Sequence, residues 1–174
     1  MHVVYNLIFL LIAWKWGDWK NWEKYYPTIL FFILGDLLHN FILYNHHVWL
    51  FHENLLPKLL PNHTFISLVI MFICYPATIL IYLKYFFRTK NIIGRALQYV
   101  FWVGIYLVVE YVNLHLGLIS HHNSWHMGWS TLFVMVMFAL FPIHFKKPLV
   151  ALILSIPFVL FLWFHFDIPI EKLK

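Results

Sequence analysis

Long apolar runs, separated by short polar stretches, dominate the chain. They lie at about 2–16, 27–45, 64–86, 96–116, 125–143 and 148–166. A helix needs about 20 predominantly apolar residues to cross the roughly 30 Å hydrocarbon core of a bilayer, and most of these runs approach or exceed that length. The pattern predicts an all-α fold, a polytopic transmembrane helix bundle with about six spans. We expect residues 1–174 to form a single integral membrane domain.

The composition agrees with this interpretation. Apolar residues make up 63% of the chain and charged residues only 11%, whereas charged residues are about a quarter of a soluble globular domain. The predicted partner is therefore the lipid bilayer, and a homo-oligomer is compatible with it. The net charge of +5 comes from basic residues scattered singly between apolar runs. Because they form no dense patch, we expect no nucleic-acid binding.

The positions of Lys and Arg predict the orientation, because cytoplasmic loops hold the excess of basic residues. Nine lie in the connections after the first, third and fifth runs, namely Lys15, Lys20, Lys24, Lys84, Arg88, Lys90, Arg95, Lys146 and Lys147. Only Lys58, Lys172 and Lys174 fall on the other side. Both termini are then expected outside, and every histidine except His144 lies on or near the outer side.

Two carboxylates, Asp36 and Glu110, lie inside apolar runs. A charge near the centre of a bilayer costs about 3 kcal/mol on insertion scales, so such residues usually face the bundle interior and mark a functional site. His39 and Asn40 follow Asp36 by three and four residues, which places them on one helix face, and Asn113 follows Glu110 by three. We predict a polar or proton-binding pocket that includes Asp36, Asn40 and Asn113. The alternative is that each carboxylate only forms hydrogen bonds that hold neighbouring helices together.

The stretch SHHNSWHMGW contains three histidines, of which His122 and His126 are four residues apart. On a helix this spacing would place both imidazoles on one face, as a divalent metal requires. Zn²⁺ needs further ligands, and nearby runs offer nitrogen and oxygen donors. The predicted ligands of Zn²⁺ or another divalent metal are His39, Glu110, His115, His122 and His126.

The same residues allow other functions. Outer histidines next to buried carboxylates are also typical of a proton pathway or pH sensor. Haem could be held by His39 with His115 or His126 as axial ligands. A structural or partner-binding protein without a catalytic site is the main alternative, and the sequence assigns no enzymatic activity. One set is superficially similar to that of ceramidase-like membrane hydrolases: His122, His126, Ser130 and Asp36.

Two segments, GDWKNWEKYYPTILFFILGDLLHNF and HFKKPL, resemble an uncharacterised family of small multi-pass membrane proteins from low-GC Gram-positive, often spore-forming, bacteria. The likeness extends over most of the chain. It implies a helical bundle in a bacterial plasma membrane. Because this family has no established activity, the resemblance implies no catalytic residue.

Overall fold

A computed structural model describes residues 2–54 and 58–168. Within them the chain forms six α-helices: α1 (His2–Trp16), α2 (Trp22–Ile42), α3 (His63–Arg88), α4 (Ile92–His115), α5 (Met127–Lys146) and α6 (Pro148–His165). A short 3₁₀ turn, Trp19–Asn21, precedes α2. The all-α prediction is confirmed. Helices α2 to α6 are long and apolar enough to cross a membrane. Helix α1 has only 15 residues, or about 22 Å of rise.

Polar side chains set the beginnings of three helices. The side chain of Asn62 accepts a hydrogen bond from Phe65 N, 3.1 Å away, at the start of α3. Asn91 does the same at the start of α4, where it accepts from Gly94 N. At α5 the capping group is an imidazole, because His126 Nδ1 accepts from Gly128 N at 3.1 Å. These caps pair backbone N–H groups that have no partner within their helix.

A two-stranded ribbon lies between the helices, and hydropathy alone did not predict it. Strand β1 (Trp49–Phe51) pairs antiparallel with β2 (Ile119–His121), with Leu50 opposite Ser120. The ribbon joins the connection after α2 to the connection after α4. We call the end of the bundle that carries this ribbon the ribbon end.

Helix α3 lies at the centre of the bundle and packs against α1, α2, α4 and α5, while α6 packs mainly against α5. The core includes Leu83, Tyr82, Phe138 and Phe141, each at most 1% exposed. Other large apolar side chains point away from the core, and Leu149 on α6 is 73% exposed. An apolar outer surface of this kind is what a bundle surrounded by lipid requires.

Specific contacts identify the two ends of the bundle. His2 Nε2 lies 3.0 Å from the carbonyl oxygen of His52 and 3.2 Å from that of Leu118, so α1 begins at the ribbon end. Ile168, after α6, belongs to an apolar cluster with Val48 at the same end. At the opposite end Lys84 Nζ donates to the carbonyl oxygen of Trp16 at 2.8 Å. The first and last described residues therefore share the ribbon end.

Candidate functional site

The ribbon end holds eleven of the twelve histidines of the chain. Some belong to helix ends and others to the ribbon and its flanking loops: His2, His39, His46, His47, His52, His63, His115, His121, His122, His126 and His165. The exception is His144, whose Nδ1 lies 3.1 Å from Thr28 Oγ1 near the opposite end. The clustering expected from the sequence is therefore present in the fold.

Asp36, on α2, accepts hydrogen bonds on both carboxylate oxygens. Tyr75 Oη donates to Asp36 Oδ2 at 2.9 Å. Asn40 Nδ2 donates to Asp36 Oδ1 at 3.2 Å and to the backbone carbonyl of Asp36 at 2.8 Å. Because a carbonyl only accepts, this second bond fixes which end of the Asn40 amide carries the nitrogen. The Oδ1 atom of Asn40 is thus left to accept from elsewhere.

That donor is His63, the first residue of α3. Its Nδ1 accepts from Phe51 N at 3.1 Å, and its Nε2 lies 2.9 Å from Asn40 Oδ1. A backbone N–H can only donate, so Nδ1 is unprotonated and Nε2 carries the proton that it donates to Asn40. Phe51 N–H is available because only alternate residues of an antiparallel strand bond to the partner strand. His52 N, for example, donates to Leu118 O at 2.8 Å.

These bonds form one continuous series from the ribbon into the bundle. We call it the Asp36 chain, and its members are Phe51, His63, Asn40, Asp36 and Tyr75. A cavity of about 450 Å³, here called the ribbon cavity, lies at the ribbon end of the bundle, where the Asp36 chain begins. Its lining includes His52, Glu53, Asn62 and His63. His63 therefore belongs both to the cavity wall and to the hydrogen-bonded path that leads to Asp36.

Glu110, on α4, has different partners. His121 Nε2 lies 2.9 Å from Glu110 Oε1, and Ser130 Oγ donates a very short hydrogen bond to the same oxygen. Trp125 Nε1 in turn donates to Ser130 Oγ at 2.8 Å. The side chains of His121 and Glu110 are 13% and 19% exposed. We call these four residues the Glu110 cluster.

The remaining predicted metal ligands are engaged separately. His115 Nδ1 bonds the carbonyl of Tyr111 on its own helix at 2.9 Å, and His126 Nδ1 caps α5. The helical interpretation of the four-residue spacing is wrong, because α5 begins only at Met127 and His122 lies outside it. Asn123 and Ser124 have φ of 51° and 64°. A right-handed helix cannot continue through two such residues.

His39 and Asn113 are the predicted pocket residues with the least explained surroundings. The His39 ring stacks on Trp49 with 4.1 Å between ring centroids. Among the described residues, neither ring nitrogen of His39 has a hydrogen-bond partner, although both are buried. Asn113 is 3% exposed, and its Oδ1 is likewise unpaired within the described part of the chain.

The structure brings some predicted residues together and separates others. Asp36 and Asn40 share the Asp36 chain, whereas Glu110 belongs to a different hydrogen-bonded group. Residues 2–54 and 58–168 contain no group of three or more His, Cys, Asp or Glu side chains arranged to hold a metal ion. The hydrolase-like set is also divided, because Ser130 donates to Glu110 and not to a histidine.

Sequence reasoning did not assign five residues to these two networks, although Ser130 was noted in the hydrolase-like set, and no local spacing pairs them with Asp36 or Glu110. They are Tyr75 and His63 in the Asp36 chain, and His121, Ser130 and Trp125 in the Glu110 cluster. Most of their bonds join residues of different helices or loops. Only their polar character within or beside apolar runs could have drawn attention to them.

His47, in the loop after α2, also belongs to the ribbon end. The carbonyl of His47 accepts from Asn123 Nδ2 at 2.7 Å, which ties this loop to the loop after β2. Burial lowers the pKa of His47 below its usual value, and the charge of nearby His122 lowers this pKa further. His47 is therefore held in its neutral form over a wider pH range than a free histidine.

No family model, no curated protein and no solved structure matches this chain.

Proposed function

We propose that the chain is a proton-binding protein of a bacterial plasma membrane, with Asp36 as the buried proton acceptor and the Asp36 chain as the route to it. Six helices would cross the bilayer, with both termini and the ribbon end outside. Protons from the outer side would enter at the ribbon cavity and reach His63. Such a protein would serve either in proton-coupled transport or in pH sensing.

One observation carries the proposal: the side chain that lines the ribbon cavity is also the donor that leads to Asp36. His63 Nε2 donates to Asn40, and Asn40 donates to Asp36, without interruption. An imidazole can accept a proton on one ring nitrogen and donate one from the other, so it can pass protons between water and a buried carboxylate. Ionisable residues inside spans are typical of ion pathways and proton relays.

The geometry supports protons more than the predicted metal pocket. His39, Glu110, His115, His122 and His126 have separate surroundings, and Zn²⁺ needs at least three protein ligands around one point. A proton path needs a continuous series of groups, each of which both accepts and donates a hydrogen bond. The Asp36 chain is such a series.

Infrared spectroscopy of the purified protein tests the acceptor. On acidification, a protonated carboxylic acid band should develop that is missing in Asp36→Asn and present in Glu110→Gln, the matched control in a different helix. A band unchanged in Asp36→Asn would refute Asp36 as the acceptor. Proton flux into liposomes distinguishes transport from sensing, because transport requires flux and sensing does not.

Cysteine labelling tests the orientation. In a Cys74→Ala background, Asn123→Cys at the ribbon end should react with a membrane-impermeant maleimide in intact bacteria. Lys20→Cys, between α1 and α2, should react only after the cells are broken. Because His2 contacts the ribbon, this result would also require α1 to cross the membrane. The reverse labelling pattern would contradict the proposed orientation.

A further inference from the structure

One face of the ribbon gathers two imidazoles around a single hydroxyl group. Leu50 pairs with Ser120, His52 follows Leu50 by two residues, and His122 follows Ser120 by two. Alternate residues of a strand point to the same face, so the register places both histidines beside Ser120. Backbone bonds extend this geometry past the strands: His52 N donates to Leu118 O, and His122 N donates to Val48 O, each at 2.8 Å.

The contacts of the side chains follow from this register. His52 Nε2 and His122 Nε2 each lie 2.8 Å from Ser120 Oγ. A hydroxyl group has one proton and two lone pairs, so it can donate to at most one of the two rings. The ring that receives this proton has an unprotonated Nε2, with its lone pair directed towards the shared oxygen. His52 and His122 are both exposed, so both rings can be reached from solution.

We propose that His52, Ser120 and His122 form a binding site for a divalent transition metal. The cation would bind between the two Nε2 atoms, with the Ser120 oxygen beside it and water completing the coordination. Neutral imidazole nitrogens with oxygen donors favour Cu²⁺ and Ni²⁺, whereas Mg²⁺ prefers an all-oxygen shell. None of the three residues is a member of the Asp36 chain, so the site does not rest on the proposed function.

This site differs from the metal pocket predicted from the sequence, with which it shares only His122. The two Nε2 atoms are less than twice 2.8 Å apart, since both contact one oxygen. Small rotations of two solvent-accessible rings would bring them to a common metal. The ribbon therefore supplies two nitrogen ligands from positions that are distant in the sequence.

Copper binding to the full-length protein, with no histidine tag, tests the site. One equivalent of Cu²⁺ should give an electron paramagnetic resonance spectrum with hyperfine splitting from two imidazole nitrogens. Affinity for Ni²⁺, measured by calorimetry, should fall by about tenfold or more in His52→Gln and in His122→Gln, because each removes one of only two nitrogen ligands. Mg²⁺ should not compete.

His115→Gln is the matched control, because this exposed histidine lies at the same end and bonds only within α4. It should leave the Cu²⁺ spectrum and the Ni²⁺ affinity unchanged. Circular dichroism and the melting temperature verify that each variant is folded. As a second measurement, Ni²⁺ should raise the melting temperature of the unmodified protein and of His115→Gln, but not that of His122→Gln. A two-nitrogen Cu²⁺ spectrum that persists in both His52→Gln and His122→Gln, or is lost in His115→Gln, would overturn the proposal.

Discussion

The Asp36 chain and the Glu110 cluster are two solutions to the same physical problem, a carboxylate within an apolar helix. Asp36 accepts from two donors, and the series through Asn40 continues to His63 and the ribbon cavity. Glu110 accepts from His121 and Ser130, and the series through Ser130 ends at the indole of Trp125. An indole N–H only donates, so no proton can be passed on beyond it.

The comparison indicates what decides the role of a buried carboxylate. Its hydrogen-bond partners, more than its depth in the bundle, determine whether it belongs to a proton path or only holds elements together. In the sequence alone, Asp36 and Glu110 suggest a function equally well, because each is a carboxylate inside an apolar run. The Glu110 cluster joins α4 to β2 and α5, as expected of a polar tie between elements. The Asp36 chain joins the bundle interior to a cavity.

The largest expected effect is on stability, at Glu110. Glu110→Ala leaves the buried Ser130 hydroxyl and the His121 ring without their acceptor, and should cost about 2 kcal/mol of unfolding free energy. Glu110→Gln, which keeps an acceptor oxygen, should lose less. Thermal unfolding in detergent measures both. If Glu110→Ala has the same melting temperature as the unmodified protein, the cluster is not a structural tie.

A smaller loss of stability and a clear kinetic effect are expected at His63. His63→Phe keeps a ring that can stack on Phe51, now 5.3 Å away between centroids, but removes both hydrogen bonds. The stability cost should be about 1 kcal/mol.

The informative measurement for His63→Phe is the rate at which the carboxylic acid band of Asp36 develops after a rapid drop in pH. This rate should fall, because the link between the ribbon cavity and Asn40 is lost. Trp125→Phe, which shortens the Glu110 cluster, should leave the rate unchanged. Equal rates in His63→Phe and the unmodified protein would argue against the proposed route.

Trp125→Phe should itself destabilise the protein modestly, by about 1 kcal/mol or less, because it removes one neutral hydrogen bond to Ser130. The ring is retained, so the apolar cluster around Trp125 is largely preserved. Thermal unfolding of Trp125→Phe, measured side by side with that of Glu110→Ala, gives the comparison. A loss larger than that of Glu110→Ala would place the main contribution in packing and not in the carboxylate.

The smallest expected effect is the pH dependence contributed by His47. Its pKa in the folded protein lies below the unfolded value of about 6.5, so the unfolded chain binds more protons in the window just below that pH. Stability should therefore decrease as pH falls through this window. In His47→Gln the decrease in stability between about pH 7.5 and pH 5.5 should be smaller. This is the range in which a free histidine changes its charge. An identical slope would assign the pH dependence to other groups.

The helices were predictable because apolar runs must match the thickness of a bilayer. The ends were less so: α2 begins at Trp22, before the run predicted from residue 27, and α5 begins at Met127. Caps and local turns set these ends, and their signals are only a few residues long. The clustering of histidines followed directly from alternating helix direction.

The site was only partly predictable, for a physical reason. Asn40 and Asp36 are four residues apart on one helix, so local spacing was sufficient to pair them. His63 meets Asn40 through the packing of α3 on α2, and His52 meets Ser120 through the ribbon register. Such contacts depend on tertiary structure. His122 and His126 illustrate the converse, since their spacing had meaning only on a helix that Asn123 and Ser124 prevent.

The bond from Phe51 N to His63 Nδ1 has a mechanical consequence. The peptide group of a strand determines which nitrogen of this imidazole carries its hydrogen, so displacement of β1 would free the ring to change tautomer or turn over. Peeling the ribbon away from α3 would then disconnect the interior carboxylate. Slow deuterium uptake at that single amide would report whether the connection is intact.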